Sequence, residues 1–331
     1  MSATIHDVAK LAGVHSSTVS RVLNGKATIT KETKERVLAA MKELDFHPNS
    51  VARNLASGLS GAIGVVVDAK DAEAFSNVFF SRSLFGIERV AQTRGYNVII
   101  ANGGVQAESA VAALVQQKKV DGLILPPSTA KRQLIAKLNG FPVVILGQPD
   151  TEQLAVNWVD NNNGQGAELA VEHLLQKNYQ RVAYLGGDKR LGFVNRRVNG
   201  YLRALGAEAL KQVVYCESDP KISSKVAEKM LSAENRPDSV LCNDNMVALG
   251  VIQAAKKLSI SIPDELGIVT FDNYPIAEYV DPSLTVVDID TALLGEQTAN
   301  LLFQCIERIS TNQQTLLGTS LIERESSSRK K

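Results

Sequence analysis

Six polar side chains of types that recognise nucleic acid lie close together in the sequence: Ser16, Ser17, Thr18, Ser20, Arg21 and Asn24. Arginine can pair bidentately with guanine and serine can contact several bases, so Ser16, Ser17 and Arg21 are candidates for reading a base sequence. Hydroxyl and amide groups hold phosphates without reading sequence, a role we assign to Thr18, Ser20 and Asn24. The alternative is that all six form an ordinary solvated helix face.

The second of two short helices is expected to present these side chains. Thr4 and Asp7 stand at the spacing of a capping box, and Gly13 can end a helix, so a first helix is predicted between them. Its apolar face is predicted to comprise Val8, Ala9, Leu11 and Ala12. The second helix is predicted to begin at His15-Ser16-Ser17 and to stop at Asn24-Gly25.

A third helix is predicted from its cap, Thr30, to a point before Pro48, with an apolar side of Val37, Leu38, Met41 and Leu44. Two helices joined by a glycine-containing turn are typical of a helix-turn-helix, whose second helix enters the major groove. Residues 1–60 hold eight Lys or Arg against five Asp or Glu, a formal charge of +3, whereas the remainder holds 28 against 30. A basic module ahead of a mildly acidic body favours a polyanionic partner.

The run from Ile5 to Asn24 resembles the DNA-binding headpiece of the LacI/GalR family of repressors. It combines the sequences DVA, AGV and TVSRVLN with the later HPNSVAR of residues 47–53, in the order and spacing of that family. The resemblance implies a repressor that binds double-stranded operator DNA as a homodimer, because a twofold headpiece needs a second copy. It adds three further candidate DNA contacts, Thr4, Asn49 and Ala52.

Residues 49–57 could form two turns of helix, which is too short to be stable alone in water. In the resembled family this hinge helix pairs with its twofold mate in the minor groove and inserts a leucine, and the matching residue is Leu55. Apolar wedges of this kind kink a duplex by unstacking a base step. The alternative is that Leu55 is an ordinary linker residue. Gly58, Ser60 and Gly61 then mark a flexible boundary.

The remaining sequence predicts a two-lobed α/β body. At 331 residues the chain exceeds the roughly 250 to 300 at which one hydrophobic core stops growing. Apolar runs alternate with helical stretches, which is typical of buried parallel strands in a doubly wound architecture. The runs are 63–67, 98–100, 122–125, 143–146, 182–185, 240–241, 268–271 and 285–287. One compact sheet rarely holds so many strands, so we expect two lobes, with ligands beyond the carboxyl ends of strands.

The body also resembles the periplasmic-binding-protein-like core of the LacI/GalR family, at segments that include Gly86-Ile87-Glu88, Val159-Asp160-Asn161, Asn243-Asp244 and Phe271-Asp272. The implied fold class is an N-terminal all-α helix-turn-helix headpiece followed by a two-lobed α/β body with doubly wound parallel sheets. The expected domains are 1–48 for DNA binding, 49–61 for the hinge helix and linker, and 62–331 for effector binding and dimerisation. Within the body, one lobe is expected from 62–160 with 290–317, and the other from 161–289 with 318–331.

The resemblance implies an effector site between the lobes. Arg196 and Arg197 precede Val198-Asn199-Gly200 at the family's ligand-contacting arginine, and we favour Arg197 as the one that faces the cleft. Asn243 and Asp272 match two polar cleft positions of the family. Carboxylate, amide and guanidinium groups together give the oriented hydrogen bonds that a polyhydroxylated ligand needs. For Asn243, with its neighbour Asp244, the alternative is capping of the following helix.

Three aromatic residues could supply apolar faces for a sugar ring: Phe79, Phe80 and Trp158. Core packing is the alternative for all three. Gly147 departs from the family pattern, because some sugar-induced members carry a cleft aspartate there. This departure, together with residues 271–278 and 321–326, makes the chain most similar to maltose-type regulators of Gram-positive bacteria. The expected effector is therefore sugar-like, with maltose or a related glucoside as the candidate.

Enzymatic activity is not expected. His173, the only histidine of the body, lies in a helical stretch where a structural or solvated role is favoured over catalysis. The sequence has no GxGxxG, GxxxxGK[ST] or HExxH, so neither a cofactor nor a metal is expected. A two-lobed solute-binding protein is the rival interpretation, but the DNA-binding head and the absence of a secretion signal argue against it. A cytoplasmic protein without a membrane partner is expected.

Overall fold

The structure, a computed structural model, describes residues 3–23, 29–46, 58–67, 77–103, 107–150, 155–309 and 312–329. The chain divides into two compact units, Met1–Gly61 and Ala62–Lys331. Most of the predicted hinge segment, 49–61, lies outside the described residues.

The first unit is helical and contains α1 (Ile5–Ala12), α2 (Ser16–Leu23) and α3 (Lys31–Glu43). The predicted capping box opens α1, since Asp7 N donates to Thr4 Oγ1 at 3.3 Å and Thr4 N donates to Asp7 Oδ2 at 2.8 Å. Gly13 ends α1 at φ 64°, a left-handed conformation that glycine adopts without steric cost. Thr30 caps α3 as predicted by accepting from Thr33 N. Local sequence signals therefore define both ends of α1 and the start of α3.

The core of the first unit corrects the predicted apolar faces at two positions. Its buried members are Val8, Ala9, Ala12, Val19, Val22, Val37 and Ala40. Leu11 and Leu38 were predicted to belong to this core, but they are 46% and 47% exposed. Each lies roughly 100° around its helix from the centre of the buried stripe, because successive residues of a helix are rotated by that angle.

The second unit contains two six-stranded sheets. The first has the spatial order β11-β5-β4-β3-β1-β2 and is parallel throughout. Its strands are β1 (Ala62–Val67), β2 (Asn97–Asn102), β3 (Gly122–Leu125), β4 (Val143–Leu146), β5 (Asn157–Asn161) and β11 (Gln314–Leu317). The second has the order β12-β10-β9-β8-β6-β7, with only β12 antiparallel to its neighbour. Its strands are β6 (Val182–Leu185), β7 (Val213–Val214), β8 (Ser239–Cys242), β9 (Gly267–Phe271), β10 (Thr285–Asp288) and β12 (Ser320–Ile322).

Helices cover both sheets and complete the doubly wound α/β body. The helices of the first sheet are α4 (Val78–Thr93), α5 (Ala107–Gln116), α6 (Arg132–Leu138) and α12 (Thr291–Ile306). Those of the second sheet are α7 (Asn163–Gln176), α8 (Gly192–Leu205), α9 (Pro220–Leu231), α10 (Asn245–Lys257) and α11 (Pro275–Tyr279). The predicted fold class is confirmed. Within the described ranges, no helix has the length and apolar character required to cross a membrane.

The strand order identifies where each sheet can bind a ligand. In the first sheet β1 lies between β2 and β3, and in the second β6 lies between β7 and β8, so the chain reverses its direction of winding at β1 and β6. Open α/β sheets bind ligands at such points, beyond the carboxyl ends of the strands. Asn243 directly follows β8 and Asp272 directly follows β9.

Candidate functional site

Helix α2 presents a polar face to solvent. Ser17 and Arg21 are both exposed and lie four residues apart, so they share one face, while Val19 and Val22 are buried beneath α2. The hydroxyl of Ser17 lies 3.0 Å from His15 Nδ1. The other three candidates on this helix, Ser16, Thr18 and Ser20, are partly buried. Two of the three side chains that the sequence assigned to base contact, Ser17 and Arg21, are therefore exposed on a helix whose apolar side is buried.

The remaining DNA-contact candidates differ in what the structure shows. Thr4 uses its hydroxyl locally, because Thr4 Oγ1 donates to Asp7 Oδ2 at 2.7 Å while accepting from Asp7 N. The roles of Asn24, Asn49, Ala52 and Leu55 stay predictions, because these residues lie outside the described ranges.

Arg197 is a buried cation at the edge of the second sheet. Its side chain comes from α8, and Arg197 is only 4% exposed. Nε donates to Asn163 Oδ1 at 2.9 Å, and Nη1 donates to the backbone oxygen of Asn243. The guanidinium carbon lies 3.7 Å from the centroid of the Phe271 ring, a cation–π contact. These contacts fix Arg197 beside the residues that follow β8 and β9.

Arg196 reaches in a different direction from its neighbour. Its Nη2 donates to the backbone oxygen of Gln148 at 3.0 Å and to Asp160 Oδ2 at 3.3 Å, and both partners belong to the first sheet or its loops. Its Nη1 lies 3.8 Å from Asp150 Oδ1. The preference for Arg197 as the effector-contacting arginine stays a prediction, and its position beside Asn243 and Asp272 supports that preference.

Asp272 is a strained, partly buried acid. Its φ is 76°, in the left-handed region that is unfavourable for residues other than glycine, and such strain concentrates at functional sites. Among the described residues its Oδ1 has no hydrogen-bond partner, although this atom is buried. Burial raises the pKa of Asp272 to about 6, an effect that the nearby Arg197 partly offsets. A buried acceptor without a partner is what a ligand hydroxyl would satisfy.

Asn245 and Asn243 hold the strand ends that frame this acid. Asn245 Nδ2 donates to the backbone oxygens of Phe271 and Asp272, at 3.2 and 2.8 Å. Asn243 Oδ1 accepts from the Tyr184 hydroxyl at 2.9 Å, and Asn243 Nδ2 donates to Asp244 Oδ2 at 3.0 Å. An amide nitrogen carries two hydrogens, so Asn243 can donate one more hydrogen bond to a ligand.

Asp244, rather than Asn243, caps the following helix. Asp244 Oδ1 accepts from Val247 N at 3.0 Å at the start of α10. The alternative that the sequence offered for the pair therefore applies to Asp244, whereas the Asn243 side chain bonds to Tyr184 and to Asp244 itself.

The three candidate aromatics lie in core environments of the first sheet. Trp158 is 6% exposed on β5 and packs with Ala130, Ile145 and Val156. Phe79 and Phe80, in the first turn of α4, are partly buried against the core between α4, α12 and the first sheet. The structure thus gathers Arg197, Asn243 and Asp272 around one point and gives these aromatics the contacts of packed core side chains.

Gly147, where the sequence departs from the family pattern, has a backbone reason to be glycine. Its φ is 111°, and a Cβ there would lie 2.9 Å from Pro127 Cγ. An aspartate with this φ would be strained. Because glycine has no side chain, position 147 supplies no side-chain acceptor to the site.

Sequence reasoning missed two buried polar residues that connect the site, Asp160 and Asn163. They are 5% and 3% exposed and lie at the end of β5 and the start of α7. Burial raises the pKa of Asp160, and the Gln148 amide and Arg196 partly offset this effect. The signal was a carboxylate inside an otherwise buried strand, which requires a partner. In the part of the chain that the structure describes, no cluster of three His, Cys, Asp or Glu side chains could hold a metal ion.

Comparison with known proteins gives the family. Residues 4–49 match the family model for bacterial regulatory proteins of the lacI family, and residues 171–327 match a periplasmic binding protein-like domain. The chain is 36% identical to the ribose operon repressor of Halalkalibacterium halodurans over 92% of this chain and 91% of that protein. It is 33% identical to the HTH-type transcriptional regulator MalR of Streptococcus pneumoniae over 98% of this chain and all of MalR.

A solved structure extends the similarity to the whole fold. The lac repressor dimer bound to operator and the anti-inducer ONPF is similar over 100% of both chains, with a TM-score of 0.82 and 26% sequence identity. Together with the helix-turn-helix unit and the two parallel-rich sheets, these similarities show that the chain belongs to the lacI family of bacterial regulatory proteins, whose members are transcriptional regulators.

Proposed function

We propose that this protein is a homodimeric repressor of a carbohydrate-utilisation operon, which binds operator DNA through α2 and whose DNA affinity is controlled by a small sugar. Because it acts on DNA, we place its activity in the cytoplasm. The observation that carries the regulatory half of the proposal is the Asp272 carboxylate, whose Oδ1 is buried without a partner among the described residues and lies beside the buried Arg197.

The DNA-binding half rests on the display of Ser17 and Arg21 on one exposed face of α2. An arginine that reaches a guanine edge in the major groove gives sequence preference, whereas hydroxyls on the same helix fix its register through phosphates. MalR and the ribose operon repressor are named as transcriptional regulators, which supports this role. Thr4, Ser16, Thr18 and Ser20 remain proposed contacts, together with Asn24, Asn49, Ala52 and Leu55.

The effector half rests on complementary hydrogen-bonding groups at the ends of β8 and β9. Asp272 offers an acceptor, Asn243 offers an amide hydrogen, and Arg197 contributes a fixed cation beside Asn243 and Phe271. Vicinal hydroxyls of a sugar both donate and accept, so they match this set better than a purely apolar ligand does. We propose maltose or a related glucoside as the effector. Ribose is the second probe, because the ribose operon repressor is also a relative.

Regulation requires that the sugar bind two states of the protein with different affinities, since only a difference in affinity shifts an equilibrium. The rival function, a solute-binding protein without a role in transcription, is not favoured, because residues 4–49 match the lacI family model.

The test measures both halves on the full chain. An operator would be selected from random-sequence DNA, and its affinity measured by fluorescence anisotropy with and without maltose or ribose. We expect an enriched, inversely repeated sequence and a change in its affinity with one sugar, typically by about 5- to 150-fold. Calorimetry should show the same factor in the affinity for sugar when operator is added, because coupling between binding sites is reciprocal.

Selection that enriches no sequence would refute DNA-sequence recognition. A sugar that binds without changing operator affinity would refute regulation by that sugar.

A further inference from the structure

The chain passes from the first sheet to the second through a short polar segment around Asp160. Asp160 is the last residue but one of β5, in its buried part, and Asn163 begins α7 two residues beyond the end of that strand. The Asp160 carboxylate accepts from Gln148 N at 3.0 Å and from Asn161 N at 2.8 Å. Asn163 Nδ2 also donates to Asp160 Oδ1, at 3.4 Å. One carboxylate therefore holds the loop after β4, the end of β5 and the start of α7.

The second sheet sends one side chain to the same carboxylate. Arg196 lies on α8, which packs on the second sheet through Val194, Val198 and Tyr201. Its Nη2 bonds to Asp160 Oδ2 and to the backbone oxygen of Gln148, and its Nη1 lies close to Asp150. The Arg196 side chain is 23% exposed and that of Asp160 is 7% exposed, so solvent screens this pair only weakly.

The same carboxylate also reaches the effector residues indirectly. Asn163 Nδ2 donates to Asp160, and Asn163 Oδ1 accepts from Arg197 Nε at 2.9 Å. Arg197 in turn donates to the backbone of Asn243. A continuous series of hydrogen bonds thus runs from the loop after β4, through Asp160 and Asn163, to Arg197.

We propose that Asp160 is a joint between the two sheets: it fixes the loop 147–150 against α8 through Arg196, and it positions Arg197 through Asn163. The orientation of Arg197 then depends on a carboxylate that does not need to touch the effector. Loss of the Arg196–Asp160 pair releases the first sheet from α8, which is the kind of local change that permits rotation of one packed body against another. This joint operates in the protein without ligand or DNA, so it does not rest on the proposed function.

Hydrogen exchange in the ligand-free full chain tests the joint at two hydrogens. The first is the Gln148 amide, which donates to Asp160; the second is the Arg197 Nε hydrogen, which donates to Asn163. Arg196→Met breaks the Arg196–Asp160 pair by changing its partner on the second sheet. It should speed exchange of the Gln148 amide by about tenfold or more. Asp160→Asn should speed exchange of the Arg197 Nε hydrogen by a similar factor. In the double variant the Gln148 amide should exchange no faster than in the faster single variant, because both changes release one joint.

A reference hydrogen and a matched variant separate this outcome from general destabilisation. The Asn243 amide donates to Leu185 inside the second sheet, and its exchange should not change. Arg203→Met removes another arginine of α8 that pairs with a carboxylate, Glu168, but that carboxylate lies on α7 of the same sheet, so the Gln148 amide should keep its protection. The proposal would be overturned if neither Arg196→Met nor Asp160→Asn changed the exchange rates of the Gln148 amide and the Arg197 Nε hydrogen by more than twofold from the parent. If Asp160→Asn also speeds exchange of the Asn243 amide, that variant is generally destabilised and the test rests on Arg196→Met alone. A Gln148 amide that exchanges about tenfold faster in Arg196→Met then supports the proposal, and one within twofold of the parent overturns it.

Discussion

The Arg197 guanidinium carbon stacks 3.7 Å from the centroid of the Phe271 ring, and Phe271 is the last residue of β9, directly before Asp272. The ring is fully buried, so it fixes the cation relative to the strand that delivers the acid. Arg197 and Asp272 come from segments that are far apart in sequence, and this aromatic contact, together with the hydrogen bonds of Arg197 to Asn163 and Asn243, holds the cation beside the acid. The predictions about this site follow from that arrangement.

Replacement of Asp272 by asparagine should stabilise the free protein at neutral pH. Burial raises the pKa of Asp272 from 3.8 to about 6, so between these pH values the folded state holds more protons than the unfolded state. Its contribution to stability is therefore greatest below about pH 4 and is lost as the pH rises through 6. Asp272→Asn removes the buried charge, and asparagine tolerates positive φ. We expect the free energy of unfolding to rise by about 1 to 3 kcal/mol at pH 7.5 and to change little at pH 4, measured by urea titration. Asp264→Asn, at an exposed acid, is the control; a less stable Asp272→Asn protein at pH 7.5 would contradict the prediction.

The same variant should bind sugar more weakly. The amide keeps one acceptor oxygen but loses the negative charge, and hydrogen bonds to charged groups are roughly twice as strong as neutral ones. We expect the affinity for the active sugar to fall by about tenfold or more, measured by calorimetry, while operator affinity without sugar stays close to the parent value. Unchanged sugar affinity would remove Asp272 from the proposed effector site.

Acid should weaken the second unit through His173. This side chain is 7% exposed and its Nε2 lies 2.7 Å from Ser327 Oγ, so the C-terminal segment packs on α7 through it. Burial lowers the pKa of His173, which the nearby Glu323 partly offsets. Below about pH 6.5, His173 is therefore protonated in the unfolded state but remains neutral in the folded state. The free energy of unfolding falls as the pH drops from that value. His173→Gln should flatten this slope between pH 6.5 and 5 in urea titrations. His15→Gln, at an exposed residue of the other unit, should keep the parent slope, and equal slopes in the parent and His173→Gln would contradict the assignment.

Arg21→Ala should reduce both the affinity for the selected operator and the preference for its sequence. An arginine paired with a guanine edge contributes about 1 to 3 kcal/mol of discrimination, so operator binding should weaken by about 5- to 150-fold while binding to random DNA changes less. Fluorescence anisotropy on both DNAs gives the two numbers. Arg36→Ala, at an exposed arginine of α3, is the charge-matched control. An equal loss of affinity on operator and random DNA would assign Arg21 to phosphate contact instead.

Gly295→Ala should destabilise the first sheet and its helices. A Cβ at Gly295 on α12 would overlap the backbone oxygen of Ser83 on α4, where the two helices cross closely. Overpacking of this kind costs about 1 to 3 kcal/mol, which urea titration resolves. Gly318→Ala, where a Cβ would meet nothing within 4 Å, is the matched control. A Gly295→Ala protein as stable as Gly318→Ala would show that α4 and α12 can separate at no cost.

Local sequence signals determined the ends of helices and most of the strands. The Thr4–Asp7 capping box, Gly13 and Thr30 act within one helical turn. The eight predicted strands are short apolar runs, and most of them are buried; β2 is the exception, since its residue Ile100 is 41% exposed. The strands that were not predicted, β5, β7, β11 and β12, are very short or carry polar residues such as Asn157, so they lack a continuous apolar run. They form because a neighbouring strand supplies hydrogen-bond partners, which local periodicity does not reveal.

The residue types of the proposed effector site came from sequence motifs, but tertiary structure alone decided what each residue contacts. Arg196 and Arg197 are adjacent in a helix and point about 100° apart. Packing of α8 on the second sheet therefore determines which one stacks on Phe271, beside Asp272, and which one bonds to Asp160. Trp158 has an aromatic ring of the kind that stacks on sugars, yet the register of β5 between β4 and β11 places this side chain in the core. Contacts such as Arg197 with Phe271 join residues more than seventy positions apart, and the order of strands in the sheet brings them together, because no local preference acts over that distance.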